Sequence, residues 1–214
     1  MPQRPRPAPA RKPAAPRTAR CRAAQRRRRL AWAGLLAAVI VAGLLLLPPV
    51  GDQVERQIYP QTYRSSVEKY SRRYGVEPEL VYAVAKVESN FVADAHSEAD
   101  ANGVMQMTEP AFEWVQYRME LDGEEHDESY DQITDPDVSI RYGTYMLSLL
   151  EEQLDGDEAL MICAYHAGLS NVRAWLENPE YSADGVTLDQ VPYSDTAWYL
   201  DEVQKAKAAY KQLY

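Results

Sequence analysis

From residue 30 to residue 50 the chain carries no charge and reads LAWAGLLAAVIVAGLLLLPPV. An apolar run of about 20 residues matches the hydrocarbon thickness of a bilayer. It separates two segments that cannot share a core. Residues 1–29 hold eleven Lys or Arg, no acid, and much Pro and Ala. That composition offers too little apolar surface to offset chain entropy, so the segment is expected to be disordered. A basic block directly before the run predicts a cytoplasmic N-terminus and an exported remainder. A cleaved signal peptide is the competing reading, but its apolar region is shorter, about 7–15 residues, and ends in small residues. Here the run closes on Leu47-Pro48-Pro49-Val50 without an Ala-x-Ala step. The nearby Cys21 precedes the run, which argues against a lipoprotein. The expectation is a retained single-pass signal anchor over 30–50, a stalk over 51–62 and a folded domain over 63–214.

The charge partitions with the topology. Residues 51–214 contain 12 basic and 32 acidic residues, a formal −20. An exported part this acidic argues against a nucleic-acid partner. The basic tail is explained by membrane orientation and anionic lipid. Cys21 and Cys163 fall on opposite sides of the expected membrane and cannot pair. Cys163 sits in the apolar run Ala159-Leu160-Met161-Ile162-Cys163-Ala164 and reads as a small buried side chain. About 150 residues suffice for a core without disulfides. His96, His126 and His166 lack ligand spacing with each other, so neither a metal nor another cofactor is expected.

Beyond residue 62 the periodicity is helical, and no stretch sustains strand-type alternation. The reading is one all-α domain, expected as a monomer. Gly75 stops a helix over 63–74, and Pro78 starts the next, which runs to Glu88. Residues 92–107 are small and polar and read as a loop. Thr108 caps a helix over 110–119, and the acidic stretch 120–134 reads as an exposed insertion. Asp135-Pro136 is a strong start signal for a helix to about residue 154. Further helices are expected over 158–165, 170–176 and 194–213, with a loop over 179–191.

Within the second of these helices, Leu80, Val81, Val84 and Val87 form one apolar stripe. Glu88 follows Val84 by four residues and lies at the stripe's edge. A buried carboxylate is costly unless it is paired or used. Burial also favours its neutral form, as a general acid requires. Periodicity alone leaves open a second reading, a helix-end glutamate that points to solvent.

Four segments occur in a defined order: Glu88-Ser89-Asn90-Phe91, Gly103-Val104-Met105-Gln106-Met107, Ala164-Tyr165-His166-Ala167-Gly168, and Tyr199-Leu200 followed by Val203. Together, over roughly 63–214, they resemble the soluble lytic transglycosylase catalytic domain, a relative of goose-type lysozyme. The resemblance implies a lysozyme-like helical fold and an enzyme that cleaves peptidoglycan; with the anchor expected over 30–50, that enzyme would be membrane-anchored. Glu88 would protonate the oxygen between N-acetylmuramic acid and N-acetylglucosamine. It would then act as base on the muramic C6 hydroxyl to form a 1,6-anhydro bond, with the N-acetyl group stabilising the cationic intermediate. This departs from the usual two-carboxylate arrangement. Substrate contacts are implied for Ser97, Gly103, Met105, Gln106, Tyr165, His166 and Tyr199. Gly103 allows close backbone approach, and Gln106 offers a donor and an acceptor to an acetamido group. Met105 is expected as groove wall, the Tyr165 hydroxyl as the group holding Glu88, and Tyr199 as groove lining.

The chain departs from the family pattern at four places. His166 stands for asparagine, Ser139 for the asparagine after Asp135-Pro136, Thr108-Glu109-Pro110 for Met-Pro, and Asp195 for glutamate. A charged histidine near Glu88 favours the ionised acid. Activity is therefore expected to fall on the acid side through His166, and an unchanged pH–rate profile in His166→Asn refutes this. Asp94, Glu98 and Asp100 are candidate second carboxylates for a hydrolytic muramidase of the same fold, with solvated loop charges as their default reading. A wall-binding or scaffold protein with a dead site is the remaining alternative.

Overall fold

The computed structural model describes residues 50–214, together with Trp32, Leu35, Leu36 and Val39. The basic tail and nearly all of the expected anchor lie outside the described residues. Among the described residues no helix is long and apolar enough to cross a membrane. Residues Gly51–Tyr214 form one compact unit. Its helices are α1 Val50–Ile58, α2 Arg64–Tyr74, α3 Pro78–Ser89, α4 Glu109–Asp122, α5 Pro136–Gln153, α6 Glu158–Ala167, α7 Leu169–Leu176 and α8 Ser194–Leu213, with a 3-10 turn at Tyr130–Gln132. Among the described residues β pairing is limited to isolated bridges from Asn102 to His96 and Met107. The domain is all-α, as expected.

Local chemistry sets the helix ends. Gly75 closes α2 at φ 79°, with its N–H donating to the Ser71 carbonyl. The Thr108 hydroxyl accepts from the Ala111 N–H at 3.4 Å, Asp135 from the Asp137 N–H at 2.8 Å, and Asp157 from the Leu160 N–H at 3.0 Å. Pro78 and Pro136 occupy first turns, where a missing N–H costs nothing.

The interior is built round α3 and α5. Leu80 through Ala85 are all buried, so α3 is enclosed on every side, and Val87 is only partly covered. The expected single stripe is thus an understatement; an all-round apolar helix belongs in the centre of a bundle. Its main partner is α8, and it also touches α2 and α5. Each fully buried aliphatic side chain here contributes about 1.5–3 kcal/mol. The buried Lys207 of α8 pairs with Glu77 at 2.6 Å and with Glu158, which ties α8 to the starts of α3 and α6. Cys163 is fully buried and unpaired, and burial pushes its thiol up to about 11.

Two segments make contacts that their composition did not disclose. The stalk region is helical in α1, and its last residues, Tyr59 and Pro60, dock on α8. The Tyr210 hydroxyl donates to the Pro60 carbonyl at 3.0 Å, and Tyr59 packs edge-on against Tyr210 at 5.7 Å. The acidic stretch 120–134 is mostly exposed, as expected, and is anchored as well. The buried Arg141 of α5 pairs with Glu124 at 3.3 Å and with Glu128, and it donates to the Glu125 carbonyl. A buried guanidinium needs such partners, and the acids of this stretch supply them.

Candidate active site

Glu88 is the penultimate residue of α3. The helix stops because Asn90 and Phe91 both enter the left-handed region, at φ 51° and 63°. For a phenylalanine this conformation is unusual and costs on the order of 1–3 kcal/mol. Phe91 is nonetheless buried, with its ring 6.4 Å from that of Tyr82. This tight reversal starts the long loop that faces Glu88.

The loop backbone is held by three side chains from three helices. The Ser89 hydroxyl of α3 donates to the Val104 carbonyl at 2.7 Å. The Ser139 hydroxyl of α5 accepts from the Met105 N–H at 3.0 Å. The Tyr165 hydroxyl of α6 donates to the Met105 carbonyl at 2.8 Å. Gly103 lies at φ 82°, and a Cβ there would sit 2.2 Å from the Ile133 carbonyl oxygen. The close approach expected of Gly103 is therefore to protein backbone. Gln106, at φ 47°, spends both amide hydrogens inside the loop, on the carbonyls of Ala95 at 3.0 Å and Gly103 at 2.9 Å. Its carbonyl oxygen is left as the group for a ligand, so it serves as an acceptor rather than as donor and acceptor.

An open groove of about 570 Å³ is lined by Glu88, Ser97, Gln106, Met107, Tyr165 and His166, with Thr108, Ala111 and Met146 on its far wall. Glu88 is the one carboxylate in that lining, and no Lys or Arg joins it. Burial drives the Glu88 carboxyl up to about 7, against the opposing pull of a hydrogen bond from the Tyr199 hydroxyl. That bond is 2.6 Å long and fixes Oε1. Asp94, Glu98 and Asp100 are exposed and lie outside the lining.

Three expectations are corrected. Tyr199, not Tyr165, holds Glu88; Tyr165 instead supports the loop at Met105 and lines the groove. Tyr199 is buried and forms no groove wall. Both methionines are buried, but Met107 is the one that borders the groove, whereas Met105 packs where a side chain on Gly143 would stand. His166 does line the groove. Its ring stacks on Tyr199 at 4.5 Å, and its Nε2 lies 3.8 Å from Asp195. Two departures from the family pattern, His166 and Asp195, thus adjoin each other, and the nearest carboxylate to His166 is Asp195 rather than Glu88. The supporting roles of Ser89 and Ser139 escaped the sequence reading. For Ser139 the available signal was a hydroxyl between Val138 and Ile140, because a buried hydroxyl must find a partner; Ser89 offered only its place beside Glu88. Among the described residues no group of three potential ligands could hold a metal ion.

Similarity to known proteins follows the same segments. The Transglycosylase SLT domain family matches residues 65–185. The soluble lytic murein transglycosylase of Escherichia coli (strain K12) is 26% identical over 181 residues, covering 84% of this chain and 27% of that protein. Membrane-bound lytic murein transglycosylase C of Actinobacillus pleuropneumoniae serotype 5b is 30% identical over 174 residues, covering 72% of this chain and 47% of the relative. The chain therefore spans between about a quarter and a half of these relatives' lengths. Among solved structures, the lytic transglycosylase Slt of Pseudomonas aeruginosa superposes with a TM-score of 0.62 at 25% identity, over 72% of this chain and 24% of that one. The 70 kDa soluble lytic transglycosylase of Escherichia coli gives 0.63 at 22% identity, over 74% of this chain and 25% of that one, a likeness of fold. The matched family segment includes Glu88, the three-point support of its loop and Tyr165, and the chain belongs to the Transglycosylase SLT domain family.

Proposed function

We propose that the domain is a lytic transglycosylase that cleaves the bond between N-acetylmuramic acid and N-acetylglucosamine in peptidoglycan and leaves a 1,6-anhydromuramic end. The observation that carries this reading is the solitude of Glu88: one carboxylate, desolvated, with a proton affinity near neutrality. A group poised near 7 is protonated often enough to act as acid and releases its proton readily enough to act next as base. In the first step Glu88 gives its proton to the leaving oxygen. In the second, the carboxylate so formed takes the proton of the muramic C6 hydroxyl, whose oxygen closes on C1. Tyr199 holds the carboxyl through both steps, and its hydrogen bond strengthens as charge develops on Glu88. A two-carboxylate hydrolase needs its second acid within about 5–9.5 Å across the scissile bond. Asp94, Glu98 and Asp100, outside the lining, favour the single-acid reading. The relatives named above are lytic murein transglycosylases, and the Pseudomonas aeruginosa structure is that of an inactive glutamate-to-glutamine mutant. An intact acid in an open groove also argues against a purely scaffolding role. Mass spectrometry of digested peptidoglycan is the test: 1,6-anhydromuramic ends are expected, and reducing muramic ends would mean hydrolysis.

The reading extends to location. Residues 30–50 anchor the protein by a single span, with residues 1–29 cytoplasmic and the catalytic domain outside, acting on membrane-proximal wall. Protease treatment of intact cells should remove the catalytic domain and spare the tail; full protection of the domain would reverse the topology.

Tyr199→Phe tests the positioning of the acid. The lost hydrogen bond had favoured ionised Glu88, so its pKa rises further. The alkaline fall of kcat/KM should move to higher pH, while kcat drops roughly tenfold, as for a lost bond to a charged group. A lower rate with an unmoved alkaline limb would leave Tyr199 a packing role only.

A further inference from the structure

The groove continues past its far wall. Ala111 and Met146 also line a second pocket of about 390 Å³, with Trp114, Leu150, Leu169 and Ser170. Arg173 of α7 is the only charged residue in that lining. Seven arginines lie beyond residue 50. Five of them, Arg64, Arg72, Arg73, Arg118 and Arg141, pair with glutamates, and Arg56 lies over the Tyr214 ring. Arg173 makes no ion pair among the described residues, although Asp155 and Asp157 line a neighbouring cavity with it. Its guanidinium is steadied by one neutral contact, Nη2 donating to Gln153 Oε1 at 2.6 Å.

In a unit with 32 acids, a cation that faces a substrate pocket without a carboxylate partner is suited to a carboxylate from outside. Arginine is the appropriate residue, because its planar fork matches a carboxylate at two points and keeps its charge at any working pH. The apolar walls formed by Trp114, Leu150 and Leu169 suit the carbon skeleton that carries such a group, and Arg173 itself is exposed and so accessible to a ligand from outside. We propose that this side pocket takes a carboxylate borne on the lactyl arm of the muramyl residue, either the lactyl carboxylate itself or one on the stem peptide, with Arg173 as its anchor. The proposal rests on the peptidoglycan reading of the groove and names the residue that distinguishes muramyl strands from neutral chitin-like ones.

The test uses the full-length chain with Glu88→Gln, so that ligands persist, with and without Arg173→Gln. Three probes are titrated: glycan strands bearing stem peptides, strands stripped to the lactyl carboxylate, and N-acetylchitotetraose, which has no carboxylate. Arg173→Gln should weaken binding of a carboxylate-bearing probe about tenfold and leave chitotetraose unchanged. Arg173→Lys should recover part of the loss, and added salt should weaken the parent more than the glutamine variant. Loss confined to stem-bearing strands assigns the carboxylate to the peptide; loss confined to stripped strands assigns it to the lactyl group, whose carboxyl is an amide wherever a stem is attached; loss on both means that the pocket takes either carboxylate. Equal loss on all three probes, or loss on none, overturns the proposal. Binding requires no turnover, so a parent enzyme without anhydro products would defeat the proposed reaction and leave this result standing.

Discussion

Replacing Glu88 with glutamine should abolish turnover and, at the same time, stabilise the folded domain as pH rises. The activity loss follows from the groove. With no other carboxylate in its lining, no neighbour can take over either proton transfer. A fall in kcat on the order of 10³-fold or more is expected, at the upper end of what one acid–base group contributes. The stability gain follows from the same burial. Unfolded, Glu88 gives up its proton near its ordinary 4.5; folded, it holds it to about 7. Between those values the native state binds more protons than the unfolded state, so parent stability falls as pH rises through this window. The full difference, reached above pH 7, corresponds to roughly 3 kcal/mol. Glutamine fills the same space, cannot ionise, and still accepts from Tyr199. Urea unfolding of parent and Glu88→Gln should therefore agree near pH 4.5 and diverge steadily up to about pH 7, the variant being more stable. Parallel curves across that range would mean that Glu88 is not buried as an acid. Activity carries the complementary signature: kcat/KM of the parent should fall above about pH 7, as the acid form is lost from free enzyme.

How much of the fold and site the residues disclose depends on the range of the interactions. Helix ends were readable because Gly75, Thr108, Asp135 and Pro136 act on their own neighbours within three or four residues. Glu88 was legible as an anomaly, a carboxylate beside an apolar run. The tyrosine roles were not. Tyr165 reaches Met105 across 60 residues and Tyr199 reaches Glu88 across 111, so the choice between them depends on how α6 and α8 pack against α3. Both are tyrosines in motif context, and only tertiary geometry separates a loop support from an acid holder. Tyr199 also lies beyond the stretch matched to the family, so the hydroxyl that fixes the acid comes from a helix with weaker sequence signals. Met105 and Met107 pose the same difficulty at shorter range. The two stand on either side of Gln106, whose backbone lies in the left-handed region at φ 47°, so strand-type alternation does not set their directions; Met105 packs on Gly143, and Met107 reaches the groove. The acidic stretch is exposed as its charge suggests, but its anchoring was hidden for a different reason. Charge count describes solvent preference, whereas the compensating cation, Arg141, sits on α5 and reaches it only through the fold.

Gly103→Ala should be the most damaging small substitution in the loop, and its effect separates two reasons for a glycine. The first is conformational: φ is 82°, where an added Cβ costs about 1 kcal/mol. The second is steric: the Cβ would stand 2.2 Å from the Ile133 carbonyl oxygen and 2.8 Å from Ser139 Oγ. The first of these is backbone, which cannot swing aside, and the second is the acceptor that holds the Met105 N–H. Relief therefore requires the loop to move away from α5, which stretches the Ser139 contact and displaces Gln106. The two terms together give a destabilisation of about 3 kcal/mol, or roughly 6–12 °C in Tm for a unit of this size. Catalysis should suffer as well, because the Gln106 carbonyl is aimed by the same loop. Gly75 provides the control. It has nearly the same φ, 79°, but nothing lies within 4 Å of an added Cβ. Gly75→Ala should cost about 1 kcal/mol and leave turnover unchanged. If thermal unfolding ranks the two substitutions as equal, backbone conformation alone explains Gly103, and the close contact with Ile133 contributes nothing to holding the loop over Glu88.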